Sequence, residues 1–155
     1  MQIYNYKIVF QEIPHEVTLA FSCLGCGGPC PNCHSPHLHE LDETKTMSFY
    51  EYKDLLLKFK DLITCVCFFG GEWFPDLTEF LSAAKSYGYK TALYSGADEV
   101  DPNLIPFLDY YKIGPYQQNK GGLDNPNTNQ RFYRIKSGEL IDETYLFRKE
   151  PLKHD

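Results

Sequence analysis

The alternation of hydrophobic and polar stretches along the chain predicts a series of strands. Residues 17–21 form an apolar run, and residues 62–69 form a continuous run of apolar, β-branched and aromatic side chains. Such a run is typical of a strand that is buried on both faces. Two further strands are predicted at Lys90–Tyr94 and Tyr110–Ile113, the first of them closed by Ser95-Gly96.

Helical patterns lie between these strands. Ser48 and Glu51 have the spacing of a capping box, so a helix is predicted to start at Ser48. A second helix is predicted to begin at Pro75-Asp76 and to end at Gly88, and a short helix is predicted over residues 103–108. The apolar positions that recur at helical spacing are Leu55, Leu56, Phe59 and Leu62 in the first helix and Leu77, Phe80, Leu81 and Ala84 in the second.

Strand, helix, strand in repetition predicts an α/β fold with a mostly parallel sheet and right-handed crossovers. Residues 132–135 and 139–141 flank Lys-Ser-Gly and predict a C-terminal hairpin with Gly138 in its turn. No repeat, low-complexity segment or linker interrupts the pattern. We therefore expect residues 1–155 to form a single domain.

Composition narrows the class of protein. The 155 residues carry a net charge of −6 without a Lys/Arg cluster, which argues against nucleic acid as a partner. No apolar run reaches the roughly 20 residues of a membrane span, and the N-terminus lacks the features of a signal peptide. We expect a cytoplasmic protein. The six cysteines of such a chain favour metal binding or catalysis over disulfides.

Cys26, Cys30 and Cys33 have the spacing Cys-x3-Cys-x2-Cys. Three thiolates at this spacing can hold three irons of a 4Fe–4S cluster and leave the fourth iron open for a substrate. The alternative is a structural zinc site, although zinc motifs normally separate their cysteine pairs by about a dozen residues or more. Its fourth ligand would be Cys23, His34, His37 or His39.

Other polar or glycine-rich motifs follow the predicted strands. Gly70-Gly71-Glu72 follows one strand, Ser95-Gly96 the next and Gly114 the last. Because ligands bind at the carboxyl ends of parallel strands, these motifs are expected to converge with the cysteine segment. Glycines would let a ligand approach the backbone closely, and Glu72 would oppose a ligand cation. Ser95 offers a hydroxyl, or its segment is a simple loop.

Several residues allow two interpretations. His34 either packs on a flat ligand ring or is an exposed loop residue, and Lys112 points into the site or caps the sheet. Cys65 and Cys67 share one face of a predicted strand and are interpreted as buried free thiols. Cys23 is interpreted as a thiol outside the metal ligands. The long polar segment 119–133, which includes Arg131, is interpreted as a partner-contact or substrate-mouth element.

Several stretches of the chain resemble the radical S-adenosylmethionine superfamily and, within it, the activating proteins of anaerobic ribonucleotide reductases. The cysteine spacing carries the resemblance to the superfamily, and the late stretch from Lys112 to Ile135 carries the resemblance to the activating proteins. The matching stretches are residues 25–36, 69–72, 94–96, 112–116 and 122–135.

The resemblance implies an enzyme with a shortened, open (βα) barrel. Cys26, Cys30 and Cys33 would bind a 4Fe–4S cluster, the turn of Gly70, Gly71 and Glu72 would hold the methionyl amino group of S-adenosylmethionine, and Ser95 would belong to the same site. Reductive cleavage of the sulfonium C–S bond would lead to a glycyl radical on the large subunit of the reductase. The electron would come from a reductant such as flavodoxin. The residues around Cys33, including Asn32 and His34, would contact the adenine.

Two other functions stay open at this stage. A radical enzyme acting on a small molecule, or on another glycyl-radical enzyme, would use the same motifs. A non-enzymatic zinc or iron–sulfur module would use the cysteines alone. Asn32 also departs from the superfamily, because many members have an aromatic residue before the third cysteine.

Overall fold

The computed structural model describes residues 1–25 and 38–148, which form one seven-stranded sheet with two α-helices. The strands follow one another in the sheet in the order of the chain. They are β1 (Ile3–Val9), β2 (Thr18–Cys23), β3 (Cys65–Phe69), β4 (Lys90–Tyr94), β5 (Tyr110–Ile113), β6 (Arg131–Lys136) and β7 (Glu139–Asp142). The helices are α1 (Phe49–Lys58) and α2 (Leu77–Ser86).

The sheet is mixed. Strands β2, β3, β4 and β5 run parallel, whereas β1, β6 and β7 pair antiparallel to their neighbours. The prediction of an α/β fold is confirmed, but the prediction of a mostly parallel sheet is corrected to a parallel centre with antiparallel margins. Strand β1 was not predicted. Only its two ends, Ile3 and Val9, are buried, so its sequence lacks the pattern of a half-buried strand.

The two longer predicted helices are present as α1 and α2, although α1 ends at Lys58, before the predicted helical positions Phe59 and Leu62. The hydroxyl of Ser48 accepts a hydrogen bond from the amide of Glu51 and caps α1. Residues 105–107 form only a 3-10 helix, in place of the predicted helix over 103–108. Pro106 within it cannot donate an amide hydrogen bond, which disfavours a longer helix. Two other 3-10 helices cover Glu43–Lys45 and Thr144–Phe147.

Both α-helices contribute to one core cluster with the same face of the sheet. In this cluster Phe21 of β2 stacks on Phe68 of β3, and Tyr52 of α1 stacks on Phe80 of α2 with ring centroids 4.4 Å apart. The hydroxyl of Tyr52 donates to the carbonyl of Phe80 at 2.7 Å, so its polar atom is satisfied inside the core. The helices therefore hold one face of the sheet rigidly.

A second, smaller core lies on the other face. It contains Cys65, Cys67 and Ala92 of the central strands, Phe132 of β6 and Ile13 from the β1–β2 connection. The hydroxyl of Tyr94 on β4 donates to the carbonyl of Glu12 in that connection. The two thiols are free and fully buried, as predicted. Burial raises the pKa of both thiols, so they are neutral packing groups.

Candidate functional site

The cysteine segment, residues 26–37, is flanked by Gly25 and Leu38. These two flanking residues meet near the carboxyl end of β2. After β2, the amide of Leu24 donates to the carbonyl of Gln2, and the amide of Gly25 donates to the carbonyl of Leu38 at 2.8 Å. The predicted metal ligands Cys26, Cys30 and Cys33, and the predicted adenine contacts Asn32 and His34, lie outside the described residues. Their two flanks, Gly25 and Leu38, nevertheless lie at this edge of the sheet.

The glycine turn follows β3 and stands beside β2. Gly70 and Gly71 have φ angles of +79° and +98°, a region that side chains with a Cβ rarely adopt. The amide of Gly70 donates to the carbonyl of Tyr94 at 2.8 Å, which ties the turn to β4. A Cβ on Gly71 would lie 2.8 Å from Sγ of Cys23. Position 71 therefore requires glycine, both because of its positive φ angle and because Cys23 leaves no space for a Cβ.

Glu72 and Ser95 form the polar centre of the site. The hydroxyl of Ser95, which is 1% exposed, donates to Oε1 of Glu72 at 2.7 Å and accepts from the amide of Ala97 at 3.0 Å. The other carboxylate oxygen, Oε2 of Glu72, is buried and has no hydrogen-bond partner among the described residues. A buried carboxylate oxygen without a donor is costly. A cationic or hydrogen-bonding group placed beside this oxygen would satisfy it.

The structure places Cys23 behind the glycine turn. Its thiol is buried against Gly71, and burial, followed by the charge of Glu72, raises its pKa. That Cys23 lies outside the metal ligands stays an interpretation, and the packing of its thiol against Gly71 agrees with it.

Lys112 is buried at the carboxyl end of β5. Its ammonium group donates to the carbonyl of Gly114 at 3.0 Å and lies 3.4 Å from the carbonyl of Ser95. Of the two interpretations that the sequence allowed, these contacts favour a cap on the strand ends. The ammonium thereby joins the segment after β4 to the segment after β5.

The long polar segment before β6 closes the same edge of the sheet. The side-chain amide of Asn129 donates to the carbonyl of Pro115, and that of Gln130 donates to the carbonyl of Gly114. Gly114 has a φ of +102°, and a Cβ there would lie 2.9 Å from Cα of Gln130. The segment therefore packs directly against the end of β5. Arg131, at its end, begins β6 and lies 3.8 Å from the carboxylate of Asp142.

Sequence reasoning missed Trp73, which is the only tryptophan of the chain. Its indole N–H donates to the carbonyl of Leu24 at 2.8 Å, and its ring lies against Gly70. The signal that could have identified it is its position directly after the glycine turn. Trp73 therefore joins Leu24, which precedes the cysteine segment, to the glycine turn.

Two surface cavities lie elsewhere. One, of about 200 Å³, includes Tyr110 at the start of β5 and Arg134 of β6 in its lining. The other, of about 400 Å³, runs along β1. Neither of these two cavities includes Glu72 or Ser95 in its lining.

Within residues 1–25 and 38–148, no group of three or more His, Cys, Asp or Glu side chains is arranged to hold a metal ion. In the same part of the chain, no helix has both the length and the apolar surface needed to cross a membrane. Comparison of the sequence and structure with protein-family models, curated proteins and solved structures found no significant match.

Proposed function

We propose that the chain is a radical S-adenosylmethionine enzyme that activates a glycyl-radical enzyme. The observation that carries the proposal is the buried, unpartnered Oε2 of Glu72 at the same edge of the sheet as the two ends of the cysteine segment. The spacing of the three cysteines supports a 4Fe–4S cluster, and the carboxylate of Glu72 at the strand ends supports binding of a ligand cation. Together they match a ligand that has an ammonium group and reaches an open iron.

The described residues fit the methionyl part of S-adenosylmethionine. Oε2 of Glu72 would accept a hydrogen bond from its ammonium group, and the turn of Gly70 and Gly71 allows that group to approach the backbone. For Ser95 we propose a role through Glu72. Its hydroxyl donates its only proton to Glu72 and accepts from the amide of Ala97, so it orients the carboxylate.

The 4Fe–4S cluster would be held by Cys26, Cys30 and Cys33. When bound, it would supply one electron to S-adenosylmethionine, the sulfonium C–S bond would break, and a glycine Cα–H of the protein substrate would give its hydrogen to the resulting organic radical. The electron would be replaced by a reductant such as flavodoxin. The chain itself contributes binding, orientation and exclusion of water.

The topology supports an open (βα) barrel. The four parallel strands follow one another without a reversal of order, and both α-helices pack on one face of the sheet. An incomplete barrel leaves its mouth wide, which suits a glycine loop on a large protein. We therefore propose the large subunit of an anaerobic ribonucleotide reductase as the substrate rather than a small molecule.

The test is electron paramagnetic resonance of the anaerobically reconstituted, reduced protein with and without S-adenosylmethionine. The expected result is a reduced 4Fe–4S signal that changes when S-adenosylmethionine is added. Glu72→Gln should keep the signal and lose most of the change, whereas Glu79→Gln, in an exposed position of α2, should behave as wild type. A wild-type signal that ignores S-adenosylmethionine would contradict the proposal.

A second candidate is a closed metal site, and one observation favours it. Nε2 of His39 is buried and has no hydrogen-bond partner among the described residues, and His39 directly follows Leu38 at the end of the cysteine segment. As a fourth ligand, this nitrogen would leave no open position. Metal analysis of wild type and His39→Gln separates the two candidates. Zinc in the wild type, lost in the variant, would identify the closed site.

A further inference from the structure

Trp73 lies between two glycines that come from different parts of the chain. A Cβ on Gly70 would lie 2.6 Å from Cη2 of its ring, and a Cβ on Gly25 would lie 2.9 Å from its Nε1. Both glycines have positive φ angles, +79° and +93°. Both glycine backbones therefore lie against the indole, and the Cβ position of Gly25 is also 2.7 Å from Cδ2 of Leu41.

The indole also makes a directed contact. Its N–H donates to the carbonyl of Leu24 at 2.8 Å, one residue before Gly25. Gly25 in turn donates to Leu38, so the hydrogen bonds link Trp73 to both flanks of the cysteine segment. The ring also lies against Gly70, which belongs to the turn that contains Glu72. The indole ring thus fixes the position of Leu24 and Gly25, which precede the cysteine segment, relative to the turn that contains Glu72.

The burial of Trp73 argues against a role in core packing. Trp73 is 37% exposed and belongs to neither core cluster, whereas its neighbour Phe74 packs against the larger core. Hydrophobic burial alone does not explain an indole that is 37% exposed and lies against two glycines. Its contacts are those of a spacer between two functional segments.

We propose that Trp73 is a positioning residue that sets the cysteine segment against the Gly70-Gly71-Glu72 turn, so that S-adenosylmethionine can engage both at once. This inference rests on the proposed function. The indole holds the two binding elements at a fixed separation through Leu24, Gly25 and Gly70.

The first test compares Trp73→Leu and Trp73→Phe with wild type, and Phe59→Leu serves as the matched control. Phe59 is partly buried against the larger core at the end of α1, away from the site. Iron content, thermal stability and the affinity for S-adenosylmethionine by calorimetry are measured for each protein. We expect wild-type iron content throughout, an affinity that falls about tenfold in Trp73→Leu, and a smaller loss in Trp73→Phe. Phe59→Leu should lose thermal stability but keep its affinity.

Wild-type affinity in Trp73→Leu, or an equal loss in Phe59→Leu, would overturn the positioning role and leave the proposed function intact. A wild-type protein that binds no S-adenosylmethionine would overturn both, so the two failures are distinguishable.

A second measurement needs no variant. Because Trp73 is the only tryptophan, its emission can be excited selectively over that of the tyrosines. Reconstitution with iron and sulfide should quench this emission, and S-adenosylmethionine should change it further. Emission that stays the same in protein that has taken up iron would overturn the positioning role of Trp73.

Discussion

Cys23 and Gly71 face each other across the boundary between β2 and the glycine turn, and a Cβ on Gly71 would lie 2.8 Å from the Cys23 sulfur. The same Cβ would lie 2.9 Å from Cε of Met1. The thiol of Cys23 therefore packs directly against the backbone of the glycine turn. Its packing and the conformation of the turn depend on each other.

Gly71→Ala should lower the free energy of unfolding, because it adds backbone strain of about 1–3 kcal/mol and a steric contact with Cys23. Gly88→Ala is the matched control, since Gly88 has a φ of +88° and nothing within 4 Å of its Cβ position. Urea denaturation of the apoproteins measures both. Adding Cys23→Ala should recover part of the loss in Gly71→Ala but none in Gly88→Ala. Equal losses in the two single variants would show that the contact is unimportant.

Cys26→Ala, Cys30→Ala and Cys33→Ala should each lose the cluster, because each would remove one of its protein ligands. Cys65→Ala should retain it, since that thiol is buried on the second face of the sheet. Cys23→Ala should also retain it. Iron and sulfide analysis after anaerobic reconstitution checks all five. Loss of iron in Cys23→Ala would show that this thiol is a ligand.

Ser95→Ala should weaken S-adenosylmethionine binding through Glu72. The variant removes the 2.7 Å hydrogen bond to Oε1, worth about 1 kcal/mol or more for a charged acceptor, and frees the carboxylate to rotate. Calorimetry should show a loss of several-fold, with iron content unchanged. Ser86→Ala removes a hydroxyl that bonds the carbonyl of Ala83 in α2, and it should leave binding unaltered. An equal effect of the two variants would show that Ser95 does not act on binding through its hydrogen bond to Glu72.

The apoprotein should lose stability in alkaline solution. Burial raises the pKa of Cys23, Cys65 and Cys67, so the folded chain keeps protons that the unfolded chain releases above about pH 8.5. The free energy of unfolding should be level with respect to these thiols below that pH and fall above it, by up to about 1.4 kcal/mol per pH unit for each thiol.

Urea denaturation under reducing conditions at several pH values measures this slope. Cys67→Ala should make it shallower by the contribution of one proton. A slope that is unchanged in Cys67→Ala would mean that this thiol ionises alike in the folded and unfolded chains.

The sequence predicts those elements whose signals are local. The cap at Ser48, the turn at Gly138 and the continuous apolar run before Gly70 each act within a few residues, and all three are present in the structure. Strand β1 depends on non-local pairing. Its middle residues are exposed on an edge of the sheet, so only pairing with β2 stabilises it as a strand.

The candidate site was predictable in part for the same reason. The convergence of Glu72 and Ser95 follows from parallel strands whose carboxyl ends meet, and it is confirmed by their hydrogen bond. The contact of Trp73 with Gly25 was not predictable, because it depends on how two loops pack on each other. The hydrogen bond that the Ser95 hydroxyl accepts likewise depends on the path of the chain at Ala97.

The hydrogen bond between Gly25 and Leu38 has a consequence for metal uptake. A ligand-bearing segment whose two ends are already joined is comparable to a macrocyclic chelator, in which ring closure precedes coordination. For such a segment, the entropic cost of bringing the two ends together is already offset by the free energy of folding, so metal binding does not have to offset it. We expect the affinity of the segment for the proposed cluster to depend on the sheet edge that holds Gly25 and Leu38, and unfolding of the sheet to release the cluster cooperatively.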